Sequence, residues 1–243
     1  MDEEFYTLQL VLTPEEEGEH SFQIIGYRPD AGTDEIHVHA TGVIRHDAAE
    51  SAMRRLDLAA LRADAPNQVD VEAYYQQLHE LGLAYGPAFL GLEQLWRRDG
   101  AALGLVRLPK AAGDNTGYHL HPALLDACFH TIGAALPARN IGLPVGISGV
   151  RVYHPLPEAV WCAARVVPTG AATGQALTCQ LQLMDDDGTL VAEIERLEIL
   201  GVAQTSARSN AEWLHQIAWR AEPREHKSQV EAGAWLILTD AQD

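Results

Sequence analysis

The sequence is short of cysteine, of positive charge and of long apolar runs. Its three cysteines are Cys128, Cys162 and Cys179. They are odd in number and form no C-x-x-C pair, which excludes a disulfide framework and a zinc site built on paired thiolates. A reducing, cytoplasmic setting is the default expectation. Lys and Arg total 17 against 34 Asp and Glu, giving a net charge of −17. Phosphate binding needs clustered cations, and these are scattered, so nucleic acid is excluded as a partner. No apolar run approaches the ~20 residues of a membrane span. The opening "MDEEFYTLQLVL" carries acids where a signal peptide needs positive charge. What the chain does have is 47% hydrophobic residues over 243 positions, enough for a packed core in one large or two small domains. Its charged fraction of 21% is too low for a disordered acidic chain.

Alternating apolar residues predict three strands in "FYTLQLVL" (5–12), "SFQIIGYRP" (21–29) and "DEIHVHATGVIRH" (34–46). They form a meander too small to stand without a covering layer. Met1 lies almost directly before the first strand, as if the chain were cut from something longer. Residues 47–69 read as a polar, Ala-rich linker with room for a short helix. "DVEAYYQQLHELG" (70–82) reads as a helix. Asp70 is its N-cap, Val71, Tyr74, Leu78 and Leu81 share a face, and Gly82 ends it. A strand at 90–97 turns at "RDG" into "AALGLVRLP". A buried helix follows at 122–136, with Pro122 in its first turn and Pro137 as its stop. Four or five antiparallel strands complete residues 70–202, "MDDDGTL" marking a hairpin. The class is α+β, one helix wrapped by a curved sheet. Residues 203–243 begin as a linker and end in the apolar strand "AGAWLILTD", which also reads as cut short.

Chemistry concentrates in "LHPALLDACFHTIGAAL" (120–136). Asp126 and His130 are one helical turn apart on one face. Leu124, Leu125, Ala127, Phe129, Ile132 and Ala135 leave little polar surface around them. Desolvation there favours the protonated carboxyl that a general acid needs near neutral pH, with His130 orienting it. An acid near a helix start, favoured by the dipole, explains the same spacing, and on local physics that plainer account leads. In "YGPAFLGL" (85–92), Gly86-Pro87 fixes a turn that sets Tyr85 at the mouth of a strand, or simply joins helix to strand. In "LPVGISGVRVY" (143–153), two glycines in a strand mark close approach of a ligand, or a bulge.

Taken together and in this order, the three motifs resemble the dehydratase domain of modular type I polyketide synthases. That family carries Y-G-P-x-F-x-G-L, here 85–92; H-P-A-L-L-D-A with Gln or His four residues after the Asp, here His121–Ala127 and His130; and L-P-x-x-x-x-G-V-x-x-Y, here Leu143–Tyr153. "VHATGVI" (38–44) is similar to the strand that closes the family's first half. The resemblance covers about residues 5–202.

The resemblance implies a double hotdog, two sheets each wrapped around a long helix. Residues 1–46 would be the last strands of the first hotdog, and 70–202 the second. The implied reaction is loss of water from a β-hydroxyacyl thioester, which makes the enzyme a hydro-lyase. No cofactor binds the domain itself: the substrate rides on the phosphopantetheine arm of an acyl carrier protein. That protein and the other domains of the synthase are the implied partners. The family's dehydratases pair within dimeric synthases, so a homodimer is one expected assembly. By match, Asp126 is the acid that protonates the departing hydroxyl and His130 supports it. Tyr85, Gly86, Pro87, His121, Pro122, Leu143, Pro144 and Gly149 would contact substrate. The family's base is a His in H-x-x-x-G-x-x-x-x-P, and no histidine here fits: four residues after His20 stands Ile24, after His46 Glu50, after His130 Ala134. The chain is therefore expected to hold the acid without the base, and to be inactive alone. Rival readings are a non-catalytic hotdog serving as scaffold or carrier-protein docking module, and a dehydratase-like cyclase or double-bond isomerase. "WLHQIAWRAEP" and "AGAWLILTD" resemble the opening of a ketoreductase region, but no G-x-G-x-x-G is present, so no nucleotide site is expected.

Overall fold

A computed structural model describes residues 7–27, 36–45, 54–136, 142–167 and 177–201. Pro137 and the ketoreductase-like tail, 203–243, lie outside the described residues. The chain divides into two compact units, Met1–Arg54 and Arg55–Asp243.

The first unit is the expected meander. β1 (Thr7–Pro14), β2 (Glu19–Tyr27) and β3 (His37–Arg45) pair antiparallel in the order β1-β2-β3. Only Gly26 is buried among its described residues, while Leu8, Val38, Val43 and Ile44 are exposed.

The second unit is a seven-stranded antiparallel sheet around one helix. Its helices are α1 (Leu58–Asp64), α2 (Val71–Glu80) and α3 (Pro122–Ala135). Its strands are β4 (Asn67–Val69), β5 (Leu92–Arg98), β6 (Ala101–Arg107), β7 (Gly142–Val152), β8 (Ala159–Val167), β9 (Leu177–Met184) and β10 (Leu190–Gly201), ordered β4-β5-β6-β8-β9-β10-β7. The chain leaves the sheet after β6, runs along α3 and re-enters at the far edge as β7. That crossover lays α3 across the concave face, against β5, β6 and β8. Leu124, Ala127, Cys128 and Ile132 of α3 pack with Leu95, Val106, Val160, Cys162, Leu181 and Ile194, all essentially inaccessible. Pro144 is tolerated inside β7 because β7 is an edge strand.

α2 starts as its sequence dictates: the Asp70 carboxylate accepts from the Ala73 N–H at 2.9 Å. Tyr74 and Leu78 are its buried residues, and Gly82 follows at φ 95°. α3 is capped by a histidine, His121 Nδ1 accepting from the Ala123 N–H at 3.1 Å, with Pro122 in the first turn.

The linker reading of 47–69 needs correction. From Arg55 onward the segment belongs to the unit of the larger sheet. α1 is capped by Asp57, and Arg62 lies 4.3 Å over the Trp96 ring on the convex face. β4 pairs with β5, and Leu56 N–H donates to Gly188 C=O. A three-residue strand is too short to show periodicity, so its composition reads as linker.

Candidate active site

α3 supplies the centre of the site. His130 Nε2 lies 3.2 Å from Asp126 Oδ2, one turn apart as the spacing predicts. The two side chains differ sharply in environment: His130 is 3% exposed and Asp126 41%. The expectation of a carboxyl sealed among leucines is therefore corrected. Leu124, Ala127 and Cys128 turn into the core, while Asp126 projects from the helix edge and keeps access to solvent. The close approach is also not a directed hydrogen bond. Nε2 makes none, so the carboxylate stands beside the ring nitrogen but off its N–H line.

Three tyrosines surround His130. Tyr75 Oη lies 3.2 Å from Nδ1, and its ring meets the imidazole edge-on with centroids 5.7 Å apart. Tyr74 donates its hydroxyl to the His130 carbonyl at 2.7 Å. Tyr85 leans on the imidazole with centroids 4.0 Å apart. Burial pushes Tyr75 and Tyr85 up to about 12, the nearby Asp126 adding to the Tyr85 shift. All three phenols are neutral hydrogen-bonding groups at physiological pH.

Asp126, His130, Tyr85, Leu143 and Pro144 border a cavity of about 310 Å³, with Phe129 and Ile199 among its apolar walls. Five of the residues expected in the site are thus brought together. The others are not. Gly86 and Pro87 form the turn entering a short 3-10 helix, Pro87–Phe89, which positions Tyr85. His121 and Pro122 start α3; the His121 ring nitrogen is spent on the cap, and burial lowers its basicity. Gly149 sits at φ 64° in β7 opposite Glu195, away from the cavity. Of the two readings of those glycines, bulge or ligand approach, the bulge fits Gly146, next to which the β7–β10 register shifts between Glu198 and Ile199, while Gly149 keeps register with β10.

Sequence reasoning did not find Tyr75. It stands next to the apolar stripe of α2, and a tyrosine at such a border, with an apolar body and a polar tip, is the signal. Arg97 of β5 also reaches the cavity wall. It gives no motif, because its position follows from strand pairing. Among the described residues no His/Cys/Asp/Glu cluster is arranged to hold a metal.

Residues 54–207 match the family described as polyketide synthase dehydratase N-terminal domain. The chain is 31% identical over 212 residues to the phthioceranic/hydroxyphthioceranic acid synthase of Mycobacterium tuberculosis, covering 83% of this chain and 10% of that protein. It is 34% identical over 221 residues to polyketide synthase GfsA of Streptomyces halstedii, covering 87% of this chain and 3% of that one. The chain thus spans about a tenth or less of the length of these relatives. Among solved structures it is similar to the dehydratase domain from the CurK module of curacin polyketide synthase, at 30% identity and a TM-score of 0.69, covering 83% of this chain and 69% of that one. That CurK dehydratase is also known as inactive variants, one with Asp replaced by Asn and one with His replaced by Phe. The chain belongs to the polyketide synthase dehydratase family, hydro-lyases with a hotdog fold.

Proposed function

We propose that the cavity beside Asp126 is the acid half of a dehydratase site acting on a β-hydroxyacyl thioester. A base takes the α-proton, the Cβ–O bond breaks as the Cα–Cβ double bond forms, and Asp126 gives its proton to the departing hydroxyl, which leaves as water. The observation that carries this reading is the contrast within one helical turn. An accessible carboxyl faces an apolar cavity while a buried imidazole stands 3.2 Å behind it. An acid must meet both substrate and a group that holds its conjugate base, and the arrangement provides both. Tyr85, Leu143 and Pro144 line the acyl path.

The substrate reaches the cavity on the phosphopantetheine arm of an acyl carrier protein within a synthase, in the cytoplasm, where the buried thiols of Cys128, Cys162 and Cys179 stay reduced. A homodimer is the expected assembly. Because no histidine here stands in H-x-x-x-G-x-x-x-x-P, these 243 residues alone should not turn over substrate. The same observation favours the rival reading, a non-catalytic docking module. Asp126→Asn separates the two in a synthase module that contains this sequence and a histidine of that pattern. With a β-hydroxyacyl carrier protein as substrate, general-acid loss should slow enoyl formation roughly 10²–10⁴-fold. An unchanged rate, or no turnover before substitution, would leave the docking module as the better account.

A further inference from the structure

The phenol of Tyr75 is held between a backbone donor and the imidazole of His130. Its oxygen accepts from the Leu92 N–H at 3.1 Å and lies 3.2 Å from His130 Nδ1. The Leu92 N–H can only donate, so the Tyr75 oxygen receives there and its own hydrogen must go elsewhere. The group is part-buried, where an unused O–H costs free energy. The acceptor within reach is Nδ1. If Nδ1 accepts, the neutral ring must carry its proton on Nε2, the nitrogen 3.2 Å from Asp126 Oδ2. Nε2 has no hydrogen-bond acceptor in line with it. It is then a loaded donor beside a carboxylate that keeps 41% of its side chain exposed.

We propose that Tyr75 is a positioning residue that fixes His130 in the Nε2–H tautomer, so that the imidazole receives Asp126 as a carboxylate once the acid has given up its proton. The backbone sets the phenol, the phenol sets the ring, and the ring sets the acid. A carboxylate formed in a largely apolar cavity is stabilised by a donor already in place, which lowers the cost of the proton leaving. Tyr74 differs although it is adjacent: its hydroxyl reaches the His130 backbone carbonyl and not the ring. Two neighbouring phenols thus divide the work, one holding the helix and one holding the imidazole. The catalytic meaning of this relay rests on the dehydratase reading; the tautomer assignment does not.

The two parts are tested separately. First, the ring nitrogens of His130 are observed by ¹⁵N NMR on the full chain, at a pH above imidazole titration, and assigned with His130→Gln. The expected pattern is protonated Nε2 and unprotonated, hydrogen-bonded Nδ1. Tyr75→Phe should collapse it toward a mixture of tautomers, and Tyr74→Phe should leave it intact while circular dichroism shows both variants folded. An Nδ1–H tautomer in the unsubstituted chain, or no change in Tyr75→Phe, overturns the assignment. Should Tyr75→Phe not fold, the unsubstituted spectrum alone decides it. Second, in the base-containing synthase module, Tyr75→Phe should lower kcat roughly tenfold, the scale of one hydrogen bond, with KM little changed. A lost tautomer with unchanged kcat would overturn the positioning role. Absence of turnover in the unsubstituted module would count against the dehydratase reading instead, and the NMR result would still judge the ring.

Discussion

The two sheets of this chain are both antiparallel and both alternate apolar with polar residues, yet among the described residues the fully buried apolar side chains belong to the larger one. In the seven-stranded sheet, α3 turns Leu124, Ala127, Cys128 and Ile132 onto the strands, and these residues are essentially inaccessible. In β1–β3 the apolar side chains Leu8, Val38, Val43 and Ile44 stay between 46% and 60% exposed. Strand propensity makes both sheets, and only a second layer makes a core. The candidate acid is on that second layer. A long helix packed on β5, β6 and β8 is a rigid platform for Asp126 and His130, on which the Tyr75 hydroxyl of α2 bears.

The most direct way to break the comparison is to truncate one apolar side chain on each side. Leu124→Ala empties a site with no accessible surface and should cost about 2–5 kcal/mol. Val38→Ala, at 58% exposed, should stay within about 0.5 kcal/mol. Thermal unfolding followed by circular dichroism measures both. Equal shifts would mean that the smaller sheet hides its apolar face as well as the larger one does.

Close approach gives a finer contrast. A methyl added at Gly133 would stand inside contact distance of the Tyr74 hydroxyl, which is itself fixed by the His130 carbonyl. A methyl added at Gly42 of β3 would meet only the far edge of the half-buried Phe22 ring, which can turn. Gly133→Ala should therefore destabilise by about 1–3 kcal/mol from overpacking, less the roughly 1 kcal/mol that Ala gains over Gly in a helix. Gly42→Ala should be near neutral. In a Tyr74→Phe background the obstructing oxygen is gone, and Gly133→Ala should become stabilising. Absence of that reversal in urea unfolding would show that the packing of α2 on α3 is looser than the structure places it.

How much of this was legible beforehand follows the same division. Helices with strong local signals were readable: Asp70 as cap, Gly82 as stop, Pro122 at the start of α3 and the turn after Arg98. Asp126 and His130 could be paired from spacing, and the surrounding motifs tied them to a family. Exposure was not readable. Leu124 before Asp126 and Ala127 and Cys128 after it lie on the buried side of the helix, so a greasy run did not mean a greasy environment for the acid. His121, Gly86 and Gly149, picked out by sequence adjacency, shape the backbone near the motifs without lining the cavity. Tyr75 reaches His130, and Arg97 the cavity wall, through tertiary placement, for which a single sequence carries little signal. β4 escaped because a three-residue strand has no period to detect, whereas α1 is the short helix for which the reading of 47–69 left room.

The smallest expected effect appears only in alkali and belongs to the unit that buries its tyrosines. Desolvation holds Tyr75 and Tyr85 up at about 12, against 10.0 for a free phenol, and pushes the more buried Tyr74 higher still. Below about pH 9 these phenols are neutral in both folded and unfolded chains, and stability does not depend on them. Above it the unfolded chain releases its phenolic protons first. The unfolded state then binds fewer protons than the folded one, and stability must fall as pH rises through the interval up to about 12. Urea midpoints should hold steady from about pH 8 to 9 and then decline, with phenolate absorbance appearing in step with unfolding. Tyr75→Phe should flatten the decline, because one of the protons held back by folding is gone. A decline of equal slope in Tyr75→Phe would mean that the Tyr75 hydroxyl is open to water, and the relay from Leu92 to His130 would lose its anchor.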